Sequence, residues 1–233
     1  AWLVMIVLIT TAVIVGRKPS LIPGPVQNFF EMIFEFVIGY MAGIFGNRER
    51  AIKFFPFIAT LFLFIATSNL FDFMPLFGSV GIWHGEEFIP LLRPVNTDLN
   101  ITLALAVIAV MTIEIAGIVI LGFWKYFGKF FTFRGRSIGQ RFLNMTVGLI
   151  EFVSELSRFI SFSFRLFGNI FAGEVLLAVV SYFMPYVLPV PLMAFETFVG
   201  VVQGAVFAML TLFFIKLAVT DPHPSTGSGQ AAH

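Results

Sequence analysis

A chain of 233 residues that is 58% hydrophobic and 12% charged sits far from the roughly 25% charge of a soluble domain, and its long apolar runs place it in the membrane class. The formal net charge of +1 gives no reason to expect nucleic acid as a partner. With no cysteine, disulfides, thiolate nucleophiles and cysteine-based metal sites are excluded.

Six apolar segments follow in chain order. The first, "AWLVMIVLITTAVIV", starts inside an apolar run without an initiator Met and reads as truncated or processed at the front. It predicts a membrane helix over 1–16, closed by Arg17 and Lys18. The second, over 26–46, places Gln27, Asn28, Glu31 and Glu35 at helical spacing and ends at the cluster Arg48, Glu49, Arg50 and Lys53. That pattern suits an amphipathic helix lying in the membrane interface. The third segment, 54–71, leads into an acidic loop with Asp72, Glu86 and Glu87. The fourth, 99–124, runs into Lys125, Lys129, Arg134, Arg136 and Arg141. The fifth and sixth cover 144–183 and 192–219, separated by the proline-rich "MPYVLPVP". The small, polar stretch 222–233 is expected to be a disordered tail.

Lysine and arginine cluster after segments one, two and four, which assigns those loops to the cytoplasmic side. Segment two, flanked by basic residues at both ends, then stays on that side, and the other five cross. The sequence thus predicts an all-α integral membrane protein in a single membrane domain, 1–221. It has five transmembrane helices plus one interfacial amphipathic helix, with the N-terminus outside and the C-terminus inside. Forty helical residues in segment five extend about 60 Å against a hydrocarbon core of about 30 Å. The last two segments are therefore expected to form a long, tilted hairpin with its apex near Pro185.

Within that hairpin, "SFRLFGNIFAGE" puts Arg165 in an apolar run with no acid within one helical turn. Charged residues at membrane depth usually face a cavity or a partner. Arg165 and Gln203 lie 20 and 18 residues from Pro185, and Glu174 and Glu196 each lie 11 residues from it. An antiparallel hairpin sets each pair at one depth. Asn169 is one turn from Arg165 on the same face, whereas Glu174 points roughly opposite. The result is an outer layer of Glu174, Glu196 and Asn169 above a deeper layer of Arg165 and Gln203. Glu151 and Glu155, with Arg158 in reach, form a third group toward the cytoplasm. This reads as two polar half-paths separated by a positive plug.

Plainer roles stand beside these. Arg165 could be a buried counter-ion to Glu196, and Asn169 and Gln203 could be interhelical hydrogen-bond donors only. Glu151 and Glu155 could be a solvated helix end, and Glu114 a hydrogen-bonding group within the bundle. Among functions, a secondary ion transporter or ion-channel subunit is the alternative. A transporter is expected to show internal repeats or broken helices around a midplane site, and the only proline break here is at the hairpin apex. A voltage sensor would need more spaced arginines than Arg158 and Arg165.

The segments "RLFGNIFAGE", "ETFVGVVQGAVFAMLT", "PVNTDLNITLALA" and "SNLFDFMP" resemble subunit a of the F-type ATP synthase, the stator half of its membrane proton channel. The resemblance covers the chain through Asp221. It implies that Arg165 is the essential arginine facing the ring carboxylates and that Gln203 is its neighbour. It further implies that Asn169, Glu174 and Glu196 line the outer half-channel and that Glu151, with Glu155 a turn on, lies toward the inner one. Many members carry a histidine at one of the two outer acidic positions; both are glutamates here. The implied partners are a ring of c subunits, the peripheral-stalk b subunits, lipid and the translocated proton or Na⁺. The resemblance implies a bacterial plasma membrane, no cofactor, and no nucleotide site on this subunit itself.

Overall fold

The computed structural model of the chain describes residues 1–16, 25–72, 81–84, 87–90, 98–123, 126 and 138–220. Arg17, Lys18, Glu86, Lys125, Lys129, Arg134, Arg136 and the tail 222–233 lie outside the described residues, as do the side chains of Asp72, Glu87, Arg141 and Glu151. The elements are α1 (Trp2–Gly16), α2 (Pro25–Phe45), α3 (Arg48–Asp72), β1 (Gly81–His84), β2 (Glu87–Pro90), α4 (Leu99–Leu121), α5 (Ile138–Phe183) and α6 (Pro189–Val219).

Four of these helices are long and apolar enough to cross a membrane: α3 over Arg48–Phe71, α4, α5 over Met145–Phe183, and α6. The apolar part of α1, Trp2–Ile14, is shorter. Four spans by length and composition therefore stand against the five expected from the apolar runs. The stretch read as an acidic loop contains an antiparallel hairpin, with Ile82 opposite Ile89 and Trp83 opposite Phe88. β-Branched and aromatic residues at these positions suit a pleated surface, a signal that the nearby charges masked.

Local chemistry ends the helices. Gly46 takes a positive φ of 68° and its N–H reaches the Ala42 carbonyl, closing α2, a conformation that glycine adopts without penalty. Two residues later α3 begins, with the Asn47 side chain accepting from the Glu49 N–H at 2.8 Å. Asp98 caps α4 in the same way, accepting from the Asn100 N–H at 2.9 Å. α5 stops at Phe183 and α6 starts on Pro189, whose fixed φ and missing N–H are tolerated in a first turn.

The helix α6 is the centre of the packing. Gly200, Gly204, Phe207, Ala208, Thr211, Leu212 and Ile215 form its buried stripe, spaced by three and four residues as one helix face requires. That face packs most extensively on α3 and then on α4. At Gly204 the two backbones nearly touch: a Cβ there would meet the Ala66 backbone N at 3.2 Å and the Phe62 carbonyl O at 3.5 Å. Between apolar helices in lipid there is no hydrophobic drive, so close approach over small residues supplies the attraction. α2 lies along α3, where Phe45 stacks on Phe54 and Phe34 meets Phe55 edge-on. The Arg48–Glu35 ion pair between them is 2.7 Å long but over 60% exposed on the Glu side, so it adds little.

The helix α5 is different. In an 18-residue apolar stretch of this helix only 11% of the residues are buried within the chain, against 33%, 39% and 39% in the corresponding stretches of the other three. Phe162, Leu166 and Ile170 turn into the core with Phe207, Leu105 and Ala109, and many of the helix's other large apolar side chains are left exposed.

These contacts predict that Gly204→Val drives α3 and α6 apart, because the obstructing atoms are backbone and cannot yield. Gly39→Ala, where an added Cβ meets nothing within 4 Å, is the control. The expected outcome is loss of folded protein in detergent thermal-melt assays for Gly204→Val, with Gly39→Ala at or above wild type. Equal melting of both variants would contradict the packing.

Candidate functional site

The buried stripe Phe162, Leu166 and Ile170 fixes how α5 is rotated. Phe162 meets Phe207 edge-on at 4.8 Å between ring centroids, and Leu166 is fully buried. Arg165, 100° around the helix from Leu166, is therefore turned to the open side and is exposed. Among the described residues no acidic side chain pairs with it. Its partner within the chain is Gln203, whose Nε2 donates to the Arg165 backbone carbonyl at 3.1 Å. The hairpin thus brings these two residues to one level, but through the main chain. The guanidinium is left out of that contact.

One layer away, α3, α5 and α6 enclose a cavity of about 200 Å³ lined by Asn69, Asn169, Ile170, Glu174, Leu177, Met193, Glu196 and Gly200. Both glutamates and Asn169 share this space, and neither Arg165 nor Gln203 lines it. The Glu196 carboxyl occupies the place that a side chain at position 173 would fill, because a Cβ on Gly173 would overlap its Oε1. A glycine at that position is what lets a glutamate on α6 enter the cavity beside Glu174.

Asn69 is a lining residue that the sequence reading did not single out. It is 2% exposed, and its Nδ2 donates to the Gly200 carbonyl at 2.7 Å. A Cβ on Gly200 would stand 2.8 Å from the Asn69 Cβ. The available signal was an amide inside an apolar helix, which in lipid must find a partner, together with a glycine one turn beyond Glu196.

Toward the other end of the hairpin, Arg158 and Glu155 are 3.8 Å apart with side chains 11% and 12% exposed. The Arg158 guanidinium sits 4.3 Å from the Phe214 ring centroid, a cation–π arrangement worth most where water is excluded. The side chain of Glu151 lies outside the described residues. Among the described residues no group of three or more His, Asp or Glu is placed to hold a metal ion.

This arrangement has Arg165, a cation without an acidic partner among the described residues, on an open helix face, a polar cavity with two carboxyls on one side of it, and a nearly buried ion pair on the other. Such a set can pass protons to and from a partner, and can stabilise a partner's negative charge, without chemistry of its own.

The chain is similar to "ATP synthase subunit a" of Moorella thermoacetica, with 34% identity over 214 residues that cover 92% of this chain and 86% of the relative. The family model described as "ATP synthase A chain" matches residues 1–216, and the chain therefore belongs to the ATP synthase A chain family.

Proposed function

We propose that this integral membrane protein is the proton-translocating subunit a of a rotary F-type ATP synthase, acting as the stator against a ring of c subunits. The observation that carries the reading is Arg165: a charged side chain on an otherwise apolar, open helix face, with its backbone held by Gln203 and, among the described residues, no acid of its own chain paired with it. An isolated charge in lipid is costly, so a helix that presents one requires a counter-charge from outside the chain. A ring of small subunits, each with one carboxyl at mid-membrane, supplies such charges in succession.

The reaction then follows from solvation. A protonated ring carboxyl is neutral and can turn through lipid; an ionised one cannot do so cheaply. Opposite Arg165 the ionised form is favoured, and the proton leaves toward the inner path through Glu151 and Glu155. As rotation carries that carboxyl past the arginine, the outer path through Asn169, Glu174 and Glu196 reloads it. The guanidinium between the two paths repels a proton that would otherwise pass straight across. Arginine suits this place because its planar fork of donors keeps its charge where a buried lysine gives it up. The electrical part of the drive is about 2.3 kcal/mol per charge for each 100 mV.

In the same reading α1 is a fifth crossing, α2 lies in the cytoplasmic interface, and the N-terminus is outside a bacterial plasma membrane. The peripheral-stalk b subunits are further partners, and the transported ion is a proton or Na⁺. This subunit binds no nucleotide.

In assembled complexes, Arg165→Ala is expected to abolish ATP-driven proton pumping and ATP synthesis, and Arg165→Lys to lose most of both. Retained coupled synthesis in Arg165→Ala complexes would remove the basis of the assignment. Near-normal synthesis with lysine would show that charge alone suffices.

Sidedness gives a second test. Cysteines at positions 169 and 174 are expected to react with a membrane-impermeant maleimide applied from outside, and one at 151 with the same reagent from the cytoplasm. Reversed labelling would overturn the topology.

The glutamate pair gives a third. Two carboxyls sharing one small cavity resist double ionisation and titrate in coupled steps. Glu174→Gln and Glu196→Gln are each expected to slow proton flux, and the double variant to be less than additively worse. Glu174→His is expected to retain more flux than Glu174→Gln, since imidazole restores an exchangeable group near neutrality. Flux against external pH is the measurement. Superimposable profiles for wild type and all variants would make the pair structural.

A further inference from the structure

Two arginines on α5, Arg158 and Arg165, are seven residues apart, a spacing that sets them on one helix face, two turns and about 10 Å from each other. Their surroundings differ. Arg165 is exposed, whereas the side chain of Arg158 is 11% exposed. Over Arg158 lies Phe214 of α6, with the guanidinium carbon 4.3 Å from its ring centroid. Beside it stands the carboxylate of Glu155, 3.8 Å away and almost a full turn back on α5.

That separation exceeds a hydrogen bond, so attraction between the two charges does not by itself fix where the guanidinium lies. An aromatic face adds the missing constraint: it draws a cation to within about 6 Å of its centroid, and more strongly where water is excluded. The face is itself braced. Phe162 lies against Phe214 at 5.7 Å with a tilt of 52°, and Phe162 in turn meets Phe207 edge-on at 4.8 Å. Phe162 and Phe207 are 2% and 0% exposed, and Phe214 packs against both apolar core clusters.

A helix that presented both cations would offer an ionised partner carboxyl two resting places on one face, each strongly attractive in a low-dielectric medium. We propose that Phe214 is a positioning residue: its aromatic face holds the Arg158 guanidinium beside Glu155 and against α6, so that Arg165 is the arginine α5 presents to the partner. The inference rests on the reading of Arg165 as the group that meets the partner's carboxyls. A phenylalanine that served packing alone would fill the same space, and only the electrostatics of its face separates the two roles.

Fluorine withdraws charge from an aromatic face with little change in size, which weakens its hold on a cation. The experiment places mono-, di- and trifluorophenylalanine at position 214 and measures ATP-driven proton uptake by inverted membrane vesicles, normalised to assembled complex. Uptake is expected to fall with each added fluorine, reaching about one fifth of wild type with the trifluoro side chain, the scale of one cation–π contact. Cyclohexylalanine, which keeps the bulk without an aromatic face, is expected to be at least as slow. The same series at Phe213, an exposed neighbour, is expected to stay at the wild-type rate. In an Arg158→Gln background the series at 214 is expected to be flat, because no cation remains for the face to hold. Equal rates across the 214 series, or an equal fall at 213 or in Arg158→Gln, would overturn the inference. If Arg158→Gln complexes do not assemble, the cyclohexylalanine variant decides, and wild-type pumping by it overturns the role. Arg165→Ala is run in parallel: coupled pumping there would sink the functional reading, whereas its loss alongside a flat 214 series would sink only the role of Phe214.

Discussion

An arginine on the open face of an apolar helix is the constraint on which the rest depends. The guanidinium of Arg165 can be held at membrane depth only if something compensates its desolvation, and among the described residues the chain itself provides no carboxylate for it. The helix is rotated by Phe162, Leu166 and Ile170 so that the charge looks outward. Gln203 binds the main chain behind it instead of the charge in front. The same sequence could have paired Arg165 with Glu196; the packing of α5 on α6 keeps that carboxyl in a separate cavity. Among the described residues the charge is therefore left without compensation from its own chain.

Holding such a charge requires a rigid support. That support is α6, whose Gly204 lets α3 approach to backbone contact. The glycines also shape the polar space: Gly173 admits the Glu196 carboxyl, and Gly200 admits Asn69. Close helix packing and the polar cavity are therefore one construction. A larger residue at any of these positions alters both the packing and the shape of the polar cavity.

Much of this was legible in the sequence. Apolar runs and proline punctuation located the helices because membrane helices must be about 20 apolar residues long and satisfy their backbone internally. The pairing of Arg165 with Gln203 and of Glu174 with Glu196 followed from counting outward from Pro185, since an antiparallel hairpin equates distance from the apex with depth. What counting could not give was rotation about each helix axis and the third helix at the site. Asn69 sits 131 positions from Gly200, and no periodicity within one segment predicts that contact. The paired strands Gly81–His84 and Glu87–Pro90 were hidden for a different reason: the charges of Glu86 and Glu87 outweighed two short runs of β-branched and aromatic residues. The seat of the Tyr126 ring on Gly117 joins residues nine positions apart, which a linear reading treats as unrelated.

The account's central claim is that Arg165 answers a charge on another subunit. The most direct measurement is a high-resolution structure of the assembled membrane sector that resolves the Arg165 side chain. The account predicts the guanidinium directed out of the chain, within hydrogen-bonding or one-water distance of a mid-membrane carboxyl on the facing ring, with Gln203 still on the Arg165 carbonyl. A guanidinium turned inward and paired with Glu196 or Glu174 of its own chain would contradict it.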